Sequence, residues 1–308
     1  MSADGFNQVT NQTPIIFCVG LAAHDYVFGL DPMPSTPSKH SARSFAESGG
    51  GGAANFAVAI ARLGGQACLL TRLGDDPIGD VIIKDLVQEG VDCTQIKRFS
   101  GCRSSLSAVL VDGAGERMII NYRDQTLPLD PTWMPVPVPH RHVVLADSRW
   151  PEGALHMLRL ARAQGCIALL DGDVPGVSRE EMQAATMIAF SKEGLSDTVG
   201  FEGLEKGLRD VARFTDARLL VTDGAQGCYW LEGDDFCHLP AFPVTALDGL
   251  GAGDVFHGAL ALALAEQQDL AQAIRFASAA AAIKVSRFGG RSGAPTRQEL
   301  EQFLNAHA

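Results

Sequence analysis

The chain has 308 residues, 46% of them hydrophobic and 20% charged, with a formal net charge of −11; this is globular composition, sized for one large α/β domain with an appendage or for two domains. The acidic balance argues against a long nucleic-acid groove, which shows itself as a basic excess. Seven scattered cysteines without a CxxC pair, an N-terminus unlike a secretory signal, and apolar stretches far shorter than a span of ~20 residues point to a reduced, cytoplasmic protein with no membrane partner.

In chain order, residues 1–13 are polar and read as a flexible N-terminus. Ile15–Val19 is a short apolar run ending at Gly20, the pattern of a buried strand. Residues 31–38, rich in Pro, Ser and Thr, form a loop. The Gly-rich run 48–52 leads into a helix over 53–63, then a strand over 67–71 and a helix over 78–89 closed by Gly90. Residues 106–111 and 117–122 read as two strands, and Asp112-Gly113 with Gly115 signals the hairpin between them. A strand over 142–146, a helix over 153–164 capped by Gly165, and apolar strands over 167–171, 187–190 and 219–222 follow. From 252 to 285 the chain is Ala/Leu-rich and helical, with a break near Gln268. Strand–helix alternation predicts an α/β fold with a mainly parallel sheet covered on both faces, and the early hairpin stands outside that rhythm.

Two glycine clusters carry the chemistry. Asp248-Gly-Leu-Gly-Ala-Gly-Asp254 runs straight into a helix. Glycines there let successive N–H groups turn inward, and a helix N-terminus favours an anion. Asp254 at that mouth is placed to accept a proton from a hydroxyl while the amides hold phosphoryl oxygens. The run is neither a Walker A loop, lacking Gly-Lys-Ser/Thr, nor a dinucleotide fingerprint, lacking its third Gly. Taken singly it reads more readily as a glycine loop with an Asp N-cap. The second cluster, Gly49-Gly50-Gly51-Gly52-Ala-Ala-Asn55, opens another helix, where bare glycines admit a polar ligand close to the backbone.

With the hairpin and Thr222-Asp-Gly-Ala-Gln-Gly227, these clusters resemble, in order and spacing, the landmarks of the ribokinase-like (PfkB) carbohydrate kinases, from Ile15 to about Leu304. The resemblance implies one kinase domain over 14–308, an α/β sandwich whose small β-sheet lid (about 26–47 and 104–126) closes over a sugar, with ATP and Mg²⁺ as cofactors and a homodimer joined through the lids. It implies Asp254 as catalytic base, Gly251, Ala252 and Gly253 as the anion hole, and Asp25, Gly51, Gly52 and Asn55 on the sugar side. Thr222, Gly224 and Gly227 match the nucleotide-phosphate loop, while Ser278, Ala282 and Gly289 fall where the adenosine pocket lies. Two departures stand out. Asp248-Gly249-Leu250 replaces the usual Asp-Thr-Thr, and Ser191-Lys-Glu-Gly194 replaces Asn-x-x-Glu, the motif that helps place Mg²⁺; no residue is assigned to the metal.

The resemblance narrows to the branch that phosphorylates the C1 hydroxyl of 6-deoxy-6-sulfofructose, through Met118-Ile-Ile-Asn-Tyr122, Val144-Leu-Ala-Asp-Ser-Arg-Trp150, Leu170-Asp-Gly-Asp173 and Ala189-Phe-Ser191. That branch carries the Ser-x-x-Gly pattern, with Ser191 on the nucleotide side, and its sulfonate-binding positions match Lys39, Asn121 and Arg149. A sulfonate offers three acceptor oxygens and no proton, so its site needs donors and positive charge. Arg149, just beyond an apolar strand, stands where open α/β sheets bind ligands. Another ketose or ketose phosphate, such as fructose or fructose 6-phosphate, is the alternative substrate, and a non-catalytic sugar-binding regulator is the alternative class. His24 is a further candidate contact, and His140-x-His142 reads as solvated loop.

Overall fold

A computed structural model describes residues 14–113, 117–134 and 143–307. The expected flexible N-terminus and the His140–His142 pair lie outside those residues.

Nine strands form the main sheet. They are β1 (Ile15–Val19), β4 (Gln66–Gly74), β5 (Ile96–Phe99), β8 (Val143–Ala146), β9 (Ile167–Gly172), β10 (Met187–Ser191), β11 (Arg218–Thr222), β12 (Cys228–Glu232) and β13 (Asp235–Leu239). Their order is β13-β12-β11-β10-β9-β8-β1-β4-β5, parallel except for the antiparallel β11-β12-β13 edge. The second sheet has the order β3-β2-β6-β7, from β2 (Ala23–Gly29), β3 (Ser44–Gly50), β6 (Ser105–Val111) and β7 (Arg117–Tyr122).

Side-chain alternation explains the three layers. Ile16 and Cys18 of β1 enter one apolar cluster, while Phe17 and Val19 enter the other. Strands β9 and β10 divide in the same way, Leu169 and Ala189 on the first side, Leu170 and Phe190 on the second. Runs that are apolar throughout are therefore buried on both faces. The first cluster is covered by α1 (Gly52–Arg62), α2 (Pro77–Gln88), α7 (Ala252–Ala265), α8 (Leu270–Val285) and α9 (Arg297–Ala306). The second lies under α3 (Pro151–Ala163), α4 (Arg179–Ala184), α5 (Lys192–Val199) and α6 (Leu204–Val211). Phe56 and Ile60 of α1 are fully buried, and each such side chain contributes roughly 1.5–3 kcal/mol.

Several helix starts are closed by side chains. Asp76 accepts from the Gly79 amide ahead of α2, and Thr296 with Glu299 forms a capping box on α9. Helix α7 differs: its N-cap is Gly251 at φ 75°, with no side-chain cap. A hydrogen-bonded cap there would occupy the amides that the sequence offers to an anion.

The parallel register brings the C-terminal strand ends to one edge. Val19 lies opposite Ala146, Ala146 opposite Leu170, Phe190 opposite Gly172, and Ser191 opposite Thr222. Asp147, Asp173, Ser191 and Asp223 therefore emerge on the same side of the sheet. Periodicity does not announce the short strands β12 and β13, and β2 and β3 are masked by Gly and polar residues that suit a sheet with one wet face.

Candidate active site

Asp254 lies in the first turn of α7, and its Oδ2 accepts a 2.6 Å hydrogen bond from Asn55 Nδ2 on α1. The two glycine clusters, far apart in sequence, thus meet through this pair. A Cβ on Gly251 would stand 3.7 Å from Asp254 Oδ2, 3.9 Å from Asn55 Nδ2 and 3.8 Å from the Arg291 amide, so three elements converge on that glycine. Gly253 is exposed at the mouth, while the Ala252 amide turns back 3.2 Å onto the Gly249 carbonyl.

Burial pushes the Asp254 carboxyl up to about 6, against the pull of the Asn55 hydrogen bond and the His257 charge. Asp171, at the end of β9, is raised to about 7, chiefly by burial. Asp147 and Asp173 add to the repulsion at both. His257 stands between them. Its Nδ1 is 2.7 Å from the Gly253 carbonyl, and its Nε2 is 3.0 Å from the Ala189 carbonyl and 3.3 Å from Asp171 Oδ1. Oxygen acceptors at both ring nitrogens favour the doubly protonated ring, and Asp171 heads the influences that raise its pKa against burial. Such a ring stitches the first turn of α7 to β9 and β10.

The glycine run 49–52 has a steric reason. A Cβ on Gly49 would lie 1.7 Å from the Arg291 guanidinium, and one on Gly50 would lie 2.3 Å from the Asp25 carboxylate. Those glycines let two charged side chains pass close to the backbone. Gly51 is the N-cap of α1, and Gly52 sits against Asp147. Asp147 itself is 2% exposed and accepts from the Leu21, Ala53 and Arg149 amides at 2.9, 3.0 and 2.8 Å. It binds the end of β1, the start of α1 and the Arg149 backbone into one unit.

Across the small sheet, Ser48, Asp25, Ser107 and Asn121 stand in one cross-strand row. In-register residues share a face. Ser107 Oγ donates to Asn121 Oδ1 at 2.9 Å, and the neighbouring Asp25 has a pKa raised mainly by burial, against the pull of Ser107. Arg117, on the same face of β7, pairs with Asp248 in the glycine loop, so this face is turned toward α7. His24 falls on the opposite face, where it meets Glu47 at 2.8 Å and Tyr26 edge-on. That placement removes it from the row holding Asp25.

Arg149, beyond β8, lies 3.4 Å from Asp173 Oδ2. Loss of surrounding water and then the neighbouring Arg149 charge hold the Arg123 guanidinium below its ordinary value. The two guanidinium groups are near enough for one charge to influence the other. Lys39 is exposed in the loop between β2 and β3, with no ion pair among the described residues.

On the other side, Ser191 caps α5. Its Oγ accepts from the Gly194 amide at 2.9 Å and donates to Asp173 Oδ1 at 2.9 Å. A Cβ on Gly194 would press 1.8 Å from the Gly172 carbonyl. The Ser-x-x-Gly pattern thus follows from tight packing of α5 on β9, which leaves no room for a longer side chain. Thr222 closes β11, and the 3₁₀ turn Gly224–Gln226 follows with Gly227 behind it. Ser278 and Ala282 lie on α8, and Gly289 donates to Asp248 Oδ2 at 3.2 Å. No hydrogen bond or ion pair joins these two nucleotide-side groups among the described residues.

Three residues escape sequence reading. Arg291 is 4% exposed, pairs with Asp85, and influences Asp25 electrostatically. His257 interrupts an apolar helix one turn after Gly253, and that interruption is a legible signal. Arg123 follows a strand end and has no local signature. Asn55 Oδ1 and Arg291 Nη1 are buried without a hydrogen-bond partner. Each is an unmet demand that a bound polar molecule would satisfy.

An uncapped helix mouth with a carboxylate of raised pKa, at the strand ends of a doubly covered sheet and under a second sheet, defines a phosphoryl-transfer enzyme of the α/β class. Residues 15–297 match the pfkB family carbohydrate kinases, and the chain belongs to that family. It is similar to ribokinase of Bacillus subtilis (29% identity, 94% of this chain and 99% of that protein) and to fructokinase-1 of Oryza sativa (28%, 89% and 94%). In fold it resembles ribokinase of Thermotoga maritima (TM-score 0.83, 27% identity, 96% and 100%). It also resembles a fructokinase with bound ATP from Xylella fastidiosa (0.78, 25%, 95% and 98%). The chain is an ATP-dependent sugar kinase.

Proposed function

We propose that this kinase transfers the γ-phosphoryl group of ATP to the C1 hydroxyl of 6-deoxy-6-sulfofructose. The observation that carries the reading is Arg149 at the strand ends, with Arg123 as a charged neighbour, together with the Asn121–Ser107–Asp25 row of the small sheet. Asp173 offsets one of the two positive charges. The remaining balance suits a monoanion such as a sulfonate better than the dianion of a sugar phosphate. Asp25 and Ser107 would grip sugar hydroxyls, Asn121 and Arg149 the sulfonate. Lys39 would join them only when its loop closes, since no contact holds it near. The small sheet is then the lid, expelling water from the transfer site.

Asp254 takes the proton of the attacking hydroxyl, with Asn55 fixing its orientation. The start of α7 receives the transferring oxygens. The nucleotide lies along Ser191, Thr222, Gly224 and Gly227, with Ser278, Ala282 and Gly289 flanking its base. Mg²⁺ bound with the phosphates would neutralise part of their charge. No cluster of three or more metal-ligating side chains exists among the described residues, which fits an ion held mostly by phosphates and water. Asp173 and Asp254, whose charges repel one another, would suit such a hydrated cation through its waters.

The outer face of the lid supports a homodimer. Phe45, Met118, Ile120 and Tyr122 share that face and are 55%, 43%, 60% and 44% exposed. A contiguous apolar face on an edge-bearing sheet is a docking surface. Among the described residues no helix is long and apolar enough to cross a membrane, and no disulfide joins the cysteines.

Side-by-side turnover of 6-deoxy-6-sulfofructose, fructose and fructose 6-phosphate with ATP and Mg²⁺ tests the reading. Preference for the sulfonate supports it. Preference for fructose, in keeping with the fructokinase relatives, retains the kinase and removes the anion assignment. Silence on all three removes these substrates and directs the search to a broader panel of sugars.

A further inference from the structure

The fully buried side chains include one ammonium group. Lys284, in the last turn of α8, is 0% exposed. Its Nζ lies 2.7 Å from the Asp248 carbonyl, 3.2 Å from Asp248 Oδ2 and 3.5 Å from the Arg287 carbonyl. Three oxygens therefore face the three donors of the ammonium. An uncompensated buried charge is expensive, so this cage is a requirement of the residue's presence and not an ornament.

The cage is built around the loop that opens α7. The Leu247 and Asp248 amides bond the Val285 carbonyl at 2.7 and 3.0 Å. Asp248 Oδ1 accepts from the Leu250 amide at 2.9 Å and from Arg117, and Oδ2 accepts from the Gly289 and Gly290 amides at 3.2 and 3.1 Å. Asp248 thus gathers the glycine loop, the lid strand β7 and the turn carrying Arg291. Without a cation at Lys284 Nζ, its carbonyl oxygen and carboxylate would repel across a buried space. The hydroxyl-bearing side chains that could otherwise tie this loop are absent, because positions 249 and 250 are Gly and Leu.

We propose that Lys284 is a built-in monovalent cation that positions the Asp248–Gly251 loop, so that phosphoryl transfer in this protein needs no free alkali ion. The tethered ammonium does the work of a small cation in a nest of carbonyl and carboxylate oxygens. It touches neither sugar nor phosphate and acts through the geometry of the α7 mouth. The inference rests on the kinase activity and not on which sugar is phosphorylated.

The test uses the intact protein with the sugar giving the highest turnover. Initial rates are read in tetramethylammonium, Na⁺, K⁺ and NH₄⁺ chlorides at equal ionic strength. The wild type is expected to vary by less than about twofold, the range that screening differences allow. Lys284→Ala in tetramethylammonium is expected to lose about 10–100-fold in kcat, the cost of a misplaced reacting group. NH₄⁺ or K⁺ should restore about tenfold of that loss by filling the emptied cage. Lys284→Met, neutral but still filling the space, should stay slow in every salt. A wild type activated several-fold by K⁺ over tetramethylammonium overturns the proposal. So does a folded Lys284→Ala whose rate is the same in all four salts. Should Lys284→Ala unfold, its refolding midpoint in the four salts replaces the rate. Selective stabilisation by NH₄⁺ or K⁺ supports the built-in cation, and equal midpoints reject it.

Discussion

Arg117, on the outer strand of the small sheet, donates to Asp248, the residue that opens the glycine loop ahead of α7. The small sheet and the glycine loop are therefore joined by a half-buried ion pair. Its Asp248 partner is held below the ordinary carboxylate range by the Leu250 and Gly290 amides and the Lys284 charge, against burial.

Arg117→Ala should leave the fold intact, since Asp248 keeps its other donors. Closure should weaken by about 1–2 kcal/mol, lowering kcat/KM for the sugar roughly tenfold. Sugar-independent ATP hydrolysis should rise as water enters the site. Coupled assays with and without sugar read both effects; an unchanged kcat/KM would show that the pair plays no part in closure.

Asp254→Asn should cost about 10²–10⁴-fold in kcat, the range of a general base, while nucleotide binding persists. With the carboxyl at about 6, wild-type kcat/KM should fall as pH drops through that value, since the protonated acid accepts no proton. The sign for stability is opposite. A folded pKa above the ordinary 3.8 means the fold prefers the neutral form, so ionisation at neutral pH weakens it. The Asn variant should therefore be more stable than wild type at pH 8, by about 1–3 kcal/mol. Urea unfolding at pH 8 and pH 4 should show that advantage shrinking with acid.

Arg149→Ala and Arg123→Ala should each lower kcat/KM for the sulfonate sugar about 10–100-fold and change neutral fructose by less than about threefold. The two losses should not add, because the guanidinium groups lie close enough to influence one another. Equal losses on charged and neutral sugars would assign both residues to packing.

Ile120→Lys places a charge at the most exposed of the apolar side chains on the outer face of the lid, 60% accessible. Light scattering should show the variant shifting toward monomer, and sugar KM should rise if the lids brace one another. A wild type already monomeric at micromolar concentration would discard the interface.

Much of this was written in short stretches of chain. The 3.6- and 2-residue periods, the glycine runs and Asp254 depend on neighbours a few positions away, and local sterics and propensity dictate them. The helical stretch over 252–285 breaks where expected, between Ala265 and Leu270, because Gln267 takes a positive φ of 66°. The strands over 106–111 and 117–122 form as an antiparallel pair, and their place in a separate sheet explains why they fall outside the strand–helix alternation.

What tertiary structure alone decided is which distant groups meet. Asn55 reaches Asp254 across 199 residues, and Arg117 reaches Asp248 across 131. Arg291 threads past Gly49, and Lys284 lies caged by Asp248. No local pattern marks a basic residue as buried, because its burial depends on acceptors supplied by other elements once the core has closed. Charge placement in this protein is a consequence of packing, and packing is a property of the whole chain.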